Sequence, residues 1–132
     1  NICTFSPFQP LSDGEREVLD EALDAFLSNR TVPCTGCQYC TPCPYGVDIP
    51  AVFAHYNKCV NEERMPKDKM DKDYVRERRS FLIGYDRSVP ELQQANRCIQ
   101  CGQCLRKCPQ SINIPKEMGK IDRLVEQLKL EK

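Results

Sequence analysis

Apolar residues recur at helical spacing along this chain, and almost nowhere do they alternate as a half-buried strand requires. Ser12-Asp13-Gly14-Glu15 has the pattern of a capping box, and Val18, Leu19, Ala22, Leu23, Phe26 and Leu27 follow it on one helical face. A helix is predicted from Ala51, with Val52, Phe53, Tyr56, Cys59 and Val60 as its apolar stripe, and another from Lys116, with Met118, Ile121, Leu124, Val125 and Leu128. Ser88-Val89-Pro90-Glu91 is a second capping-box pattern and predicts a short helix. Residues 61–79 are mostly charged, with Met65, Met70, Tyr74 and Val75 interspersed. They read as a linker running into a solvated helix that Phe81, Leu82 and Tyr85 fasten to the core. The predicted fold class is mainly α.

An internal repeat organises these elements. Cys43-Pro44-Tyr45-Gly46-Val47-Asp48-Ile49-Pro50 aligns without gaps to Cys108-Pro109-Gln110-Ser111-Ile112-Asn113-Ile114-Pro115. Upstream, Cys34, Cys37 and Cys40 align to Cys98, Cys101 and Cys104 once a residue is dropped before Cys43. Each half thus reads as a cysteine loop, a sharp exit at Cys-Pro, a short extended step and a helix, with Pro50 and Pro115 near the helix starts, where a missing N–H costs nothing. The whole is two pseudo-symmetric cysteine-loop/helix halves. By length the 132 residues form one domain. Its parts are a lead-in and N-terminal helix (1–30), a first cysteine loop and helix (31–60), a charged helical spacer (61–97), and a second cysteine loop and C-terminal helix (98–132).

Composition adds a constraint on stability. The hydrophobic share of 40% includes ten cysteines, so if eight of them bind metal the apolar core is thin and needs a staple. Folding and metal binding are then expected to be coupled. Charge excludes more than it suggests: 19 basic and 19 acidic residues cancel, which gives no support for nucleic-acid binding. No apolar run reaches membrane-spanning length and no signal peptide is visible; a cytoplasmic location is expected. The chain starts Asn1-Ile2-Cys3, as a fragment of a larger polypeptide would.

The cysteines carry the chemistry. Cys98, Cys101, Cys104 and Cys108-Pro109 form C-x2-C-x2-C-x3-C-P, the ligand spacing of bacterial-type [4Fe–4S] sites, where the fourth cysteine serves the other cluster. By that pattern one cluster takes Cys34, Cys37, Cys40 and Cys108, and the other takes Cys98, Cys101, Cys104 and Cys43. The first run has one residue fewer before its last cysteine, which leaves the angle at which Cys43 departs open. Two such clusters would take the holo chain to a charge of about −4. Zinc is the second reading, since paired C-x2-C units suit a tetrahedral ion; a disulfide scaffold is third. Val47, Ile49, Ile99, Leu105, Ile112 and Ile114 are candidates for a water-excluding shell. Cys59 reads as a buried, inert hydrophobe, Cys3 as having no cluster role, and His55 as a packed or surface residue. Tyr39 and Tyr45 flank ligands; packing within their loops is the expected role, and lining an electron path is the alternative. No nucleophile–base arrangement, phosphate loop or paired carboxylates appear, so the chain alone is not expected to be a complete enzyme.

The stretch Pro33-Cys34-Thr35-Gly36-Cys37-Gln38-Tyr39-Cys40-Thr41-Pro42-Cys43-Pro44, continuing through Gly46-Val47-Asp48-Ile49-Pro50, resembles the C-terminal ferredoxin-like dicluster domain of iron–sulfur aldo/keto reductases. The lead-in Thr4-Phe5-Ser6-Pro7-Phe8 with Pro10-Leu11-Ser12 is similar to the segment joining that domain to the reductase barrel, and Cys98 through Gln110 fits the second motif. The resemblance implies an upstream NAD(P)-binding barrel holding the catalytic residues, with this chain passing electrons between a redox partner and the reductase. A structural module whose clusters or zinc ions only hold the fold and dock the barrel is the alternative. A redox sensor is a third.

Overall fold

Asp48 and Asn113 occupy equivalent places in the repeat, and each caps a helix. The Asp48 carboxylate accepts the backbone N–H of Ala51 at 3.0 Å, and the Asn113 amide oxygen accepts that of Lys116 at 3.3 Å. Each cap satisfies a donor the helix cannot, worth about 1 kcal/mol. Pro50 and Pro115 follow in the first turn of each helix, as expected.

The computed structural model describes residues 10–27 and 31–131, with side chains of 24–27 left aside. Its helices are α1 (Asp13–Leu27), α2 (Ile49–Asn61), α3 (Tyr74–Ser88) and α4 (Ile114–Leu130), with 3-10 turns at Glu91–Gln93, Ala95–Arg97 and Leu105–Lys107. No strand occurs among the described residues, in keeping with the mainly α expectation. None of these helices is long and apolar enough to cross a membrane. Cys3 and the lead-in at residues 4–8 lie outside the described residues.

The chain separates between residues 30 and 31 into two units. In the first, the expected capping box opens α1: the Ser12 backbone N–H and hydroxyl both donate to Glu15 Oε2 at 2.8 Å, and Ser12 Oγ accepts the Glu15 N–H at 3.3 Å. These bonds, the backbone one foremost, lower the Glu15 pKa. Val18, Leu19 and Leu23 are exposed.

In the second unit, α2, α3 and α4 meet around Val52, Phe53, Phe81, Tyr85, Ile114, Met118 and Ile121, all fully buried. The spacer supplies the helix expected of it, through buried Tyr74, Phe81 and Tyr85. The Phe81 and Tyr85 rings stack at 6.3 Å, and the Tyr85 phenol oxygen accepts the Ala95 N–H at 3.0 Å, tying α3 to the approach of the second cysteine loop. Burial pushes the Tyr85 pKa up. Asn57 fixes the other loop: its amide accepts the Val32 N–H at 2.7 Å and donates to the Val32 carbonyl at 2.6 Å. The capping box expected at Ser88 is not formed, and the short helix it predicts is present only as the 3-10 turn Glu91–Gln93. α3 runs on to Ser88, the Val89 N–H bonds back to the Tyr85 carbonyl, and the chain restarts at Pro90 as a 3-10 turn with no side-chain cap.

His55 is packed between α2 and α3, 7% exposed, with Nε2 3.1 Å from the Phe81 carbonyl. A carbonyl only accepts, so Nε2 carries the proton. Burial lowers the His55 pKa from its ordinary 6.5, and the bond to Phe81 opposes that shift. Cys59, one turn on, is buried with Sγ 3.6 Å from the same nitrogen, and burial raises its pKa. A β-carbon on Gly84 would stand 2.7 Å from His55 Cε1, inside a ring already held by Phe81 and Tyr85. Gly84→Ala should therefore destabilise the chain by about 1–3 kcal/mol despite its better helix propensity. A urea midpoint at or above that of the parent would contradict this packing.

Candidate metal centre

The two cysteine loops share a backbone that their residues do not advertise. Three positions in each half have positive φ, and they match across the repeat. Gly36 (φ 69°) matches Gln100 (59°), Gln38 (64°) matches Gly102 (75°), and Gly46 (79°) matches Ser111 (52°). The bonds closing these turns match too. The Thr41 N–H donates to the Gln38 carbonyl at 2.9 Å and that of Leu105 to Gly102 at 3.0 Å; Gly46 bonds Cys43 at 3.0 Å and Ser111 bonds Cys108 at 3.2 Å. Turns of alternating hand tip successive N–H groups into an anion-binding concavity, a device used at iron–sulfur sites. At Gln38, Gln100 and Ser111 a β-carbon is carried in that conformation at a cost of about 1 kcal/mol each.

The loops differ where the first lacks a residue. There the chain passes Thr41-Pro42 through a cis peptide, while the second loop makes the 3-10 turn Leu105–Lys107. Both then rejoin the common path at Cys-Pro.

All eight cysteines of the two runs lie on two apolar cavities. One is lined by Cys34, Cys37, Cys40 and Cys108, with Ile49, Phe53, Ile112 and Ile114. The other is lined by Cys43, Cys98, Cys101 and Cys104, with Val47, Ile49, Ile114 and, from the shared wall, Cys40. Each cavity therefore combines three thiols of its own loop with the Cys-Pro thiol of the other. Cys37 and Cys101 are exposed, Cys40 is buried, and the rest are half-buried.

Burial raises the Cys40 pKa, with the thiols of Cys34, Cys104 and Cys37 adding to it; its own backbone N–H acts the other way. Cys104 is raised likewise by burial, with Cys98, Cys101 and Cys43 adding. Thiols crowded this way resist carrying negative charge together unless a cation neutralises them. Metal binding must displace their protons, so it weakens as pH falls.

Four thiols around each apolar cavity are the soft ligand set a [4Fe–4S] cluster needs. Among the described residues no three His, Cys, Asp or Glu side chains converge on a single-ion site. The nine described cysteines are free, without disulfides.

Of the expected shell, Val47, Ile49, Ile112 and Ile114 are buried and line a cavity. Ile99 lines the second cavity yet is 59% exposed, and Leu105 is also exposed. Tyr39 does not pack as expected: it is 66% exposed and lines neither cavity. Tyr45, 44% exposed, lines the second cavity beside Cys43 and Pro44. His55 and Cys59 line neither cavity.

Compared with known families, residues 33–113 match the family described as the 4Fe-4S dicluster domain. No curated protein and no solved structure matches the chain.

Proposed function

We propose a two-cluster electron-transfer module as the function of this chain, which belongs to the 4Fe-4S dicluster domain family. One observation carries the reading: each of two cavities combines three thiols from one loop with the Cys-Pro thiol of the other. Cys34, Cys37, Cys40 and Cys108 would hold one [4Fe–4S] cluster, and Cys98, Cys101, Cys104 and Cys43 the second. When bound, such a cluster supplies one-electron storage at a potential set by its surroundings. The chain's own residues do the rest. Cys40, at the shared wall, and the crossed Cys43 and Cys108 fix the distance between the two centres. Val47, Ile49, Phe53, Ile112 and Ile114 keep water from the sulfurs, and the positive-φ turns aim N–H groups for hydrogen bonding to them.

The parent is proposed to be an aldo/keto reductase-like oxidoreductase, supported by the motif resemblance through residues 33–50 and 98–110. Its NAD(P)-dependent chemistry would lie upstream, and a redox partner would exchange electrons with this domain. Zinc, or clusters that serve only to hold the fold, is the competing reading; the match of residues 33–113 to the 4Fe-4S dicluster domain family favours iron–sulfur clusters over zinc.

Dithionite reduction of anaerobically prepared protein should give an EPR signal from two interacting reduced clusters. A silent sample that retains iron and sulfide would favour the purely structural role.

A further inference from the structure

The two halves share a backbone but not a charge. Residues 31–47, spanning the first loop, contain no Asp, Glu, Lys or Arg. Residues 92–116, spanning the second, contain Arg97, Arg106, Lys107 and Lys116 and no acid at all. α4 adds Arg123 to this side. Lys107 lines the cavity of Cys43, Cys98, Cys101 and Cys104. Lys116 and Arg123 line an open groove of about 360 Å³ together with Gln100, Gly102 and Leu105, the turn that carries exposed Cys101. All five cations are exposed, and none forms an ion pair among the described residues. The neighbouring acids on α4 are Glu117, already paired with Lys120 at 2.6 Å, half-buried Asp122 beside Arg123, and exposed Glu126 three residues on from Arg123 and not paired with it.

We propose that this cationic rim around the second cysteine loop is the docking surface for an acidic electron-carrier protein. The inference rests on the electron-transfer reading, which requires such a partner to approach a ligand within reach of the surface. The charge argument is local. Over the chain the formal charge is zero, so a polyphosphate meets no extended basic field. A folded acidic carrier needs only a patch of complementary sign beside the centre it serves, and such patches steer encounter more than they strengthen it. Five unpaired cations exceed the charge of about −2 on one cluster, so the rim stays positive when the site is loaded. The pseudo-equivalent neutral loop, with exposed Tyr39 and Tyr45, offers no such attraction and serves as an internal contrast.

The test uses the full, anaerobically prepared holo chain and a small acidic flavodoxin as probe, with binding read by flavin fluorescence. Lys116→Glu/Arg123→Glu should weaken binding about tenfold, and raising salt from about 20 to 300 mM should weaken the parent similarly. Arg106→Glu is the independent second variant, and Arg79→Glu/Arg87→Glu at exposed positions of α3 should change binding less than about twofold. No binding by the parent, equal weakening by the α3 pair, or preferential binding of duplex DNA would overturn the proposal. Iron and sulfide are counted in every sample. A parent without clusters that still binds flavodoxin through these cations would sink the electron-transfer reading and leave the docking surface standing.

Discussion

Cys108→Ala should cost the chain one cluster, and the loss should fall on the first loop although the mutation lies in the second. Cys108 lines the cavity of Cys34, Cys37 and Cys40, not that of its own run. Iron should drop from about eight to four per chain. Under anaerobic alkylation Cys34, Cys37 and Cys40 should become reactive while Cys98, Cys101 and Cys104 stay protected. Cys43→Ala should give the mirror pattern. Labelling of the mutated run itself would mean that each loop closes on its own cysteine, and the crossed arrangement would be wrong. Loss of all iron in both variants would instead mean that the two sites assemble only together.

Phe53→Ala should produce the largest loss of stability among single core substitutions. Phe53 is 0% exposed on α2, belongs to the core shared with Phe81 and Met118, and also lines the cavity of the first loop. Truncating a buried Phe costs about 3–5 kcal/mol through lost transfer energy and the void left behind. The void here opens beside Cys34, Cys37 and Cys40, so water gains access to the sulfurs as the core loosens. Anaerobic urea unfolding should therefore shift strongly, and on exposure to air absorbance should bleach faster than in the parent. A loss below about 1 kcal/mol, with unchanged bleaching, would place Phe53 outside the support of that site.

Much of this arrangement was legible in the chain because it is written in side-chain type. The apolar stripes of α2 and α4 and the cysteine spacing need no tertiary context. The repeat placed Pro50 and Pro115 at helix starts, and the caps beside them, Asp48 and Asn113, were visible only as matched residues. What escaped reading was conformational. Gln38, Gln100 and Ser111 adopt positive φ with no local signal, and the one trace is the glycine at the matching place in the other half. Ser88 carried a capping pattern that lost to the continuation of α3, whose Tyr85 and following Val89 gain more from burial than a new cap would supply. The exposure of Tyr39 and the place of Tyr45 on the second cavity depended on where the cavities lie, which no spacing encodes.

The cluster pair itself is tested most directly by iron and acid-labile sulfide per chain in protein purified without oxygen. About eight of each is the predicted result. Zinc with no sulfide, or about four irons in the parent, would contradict it.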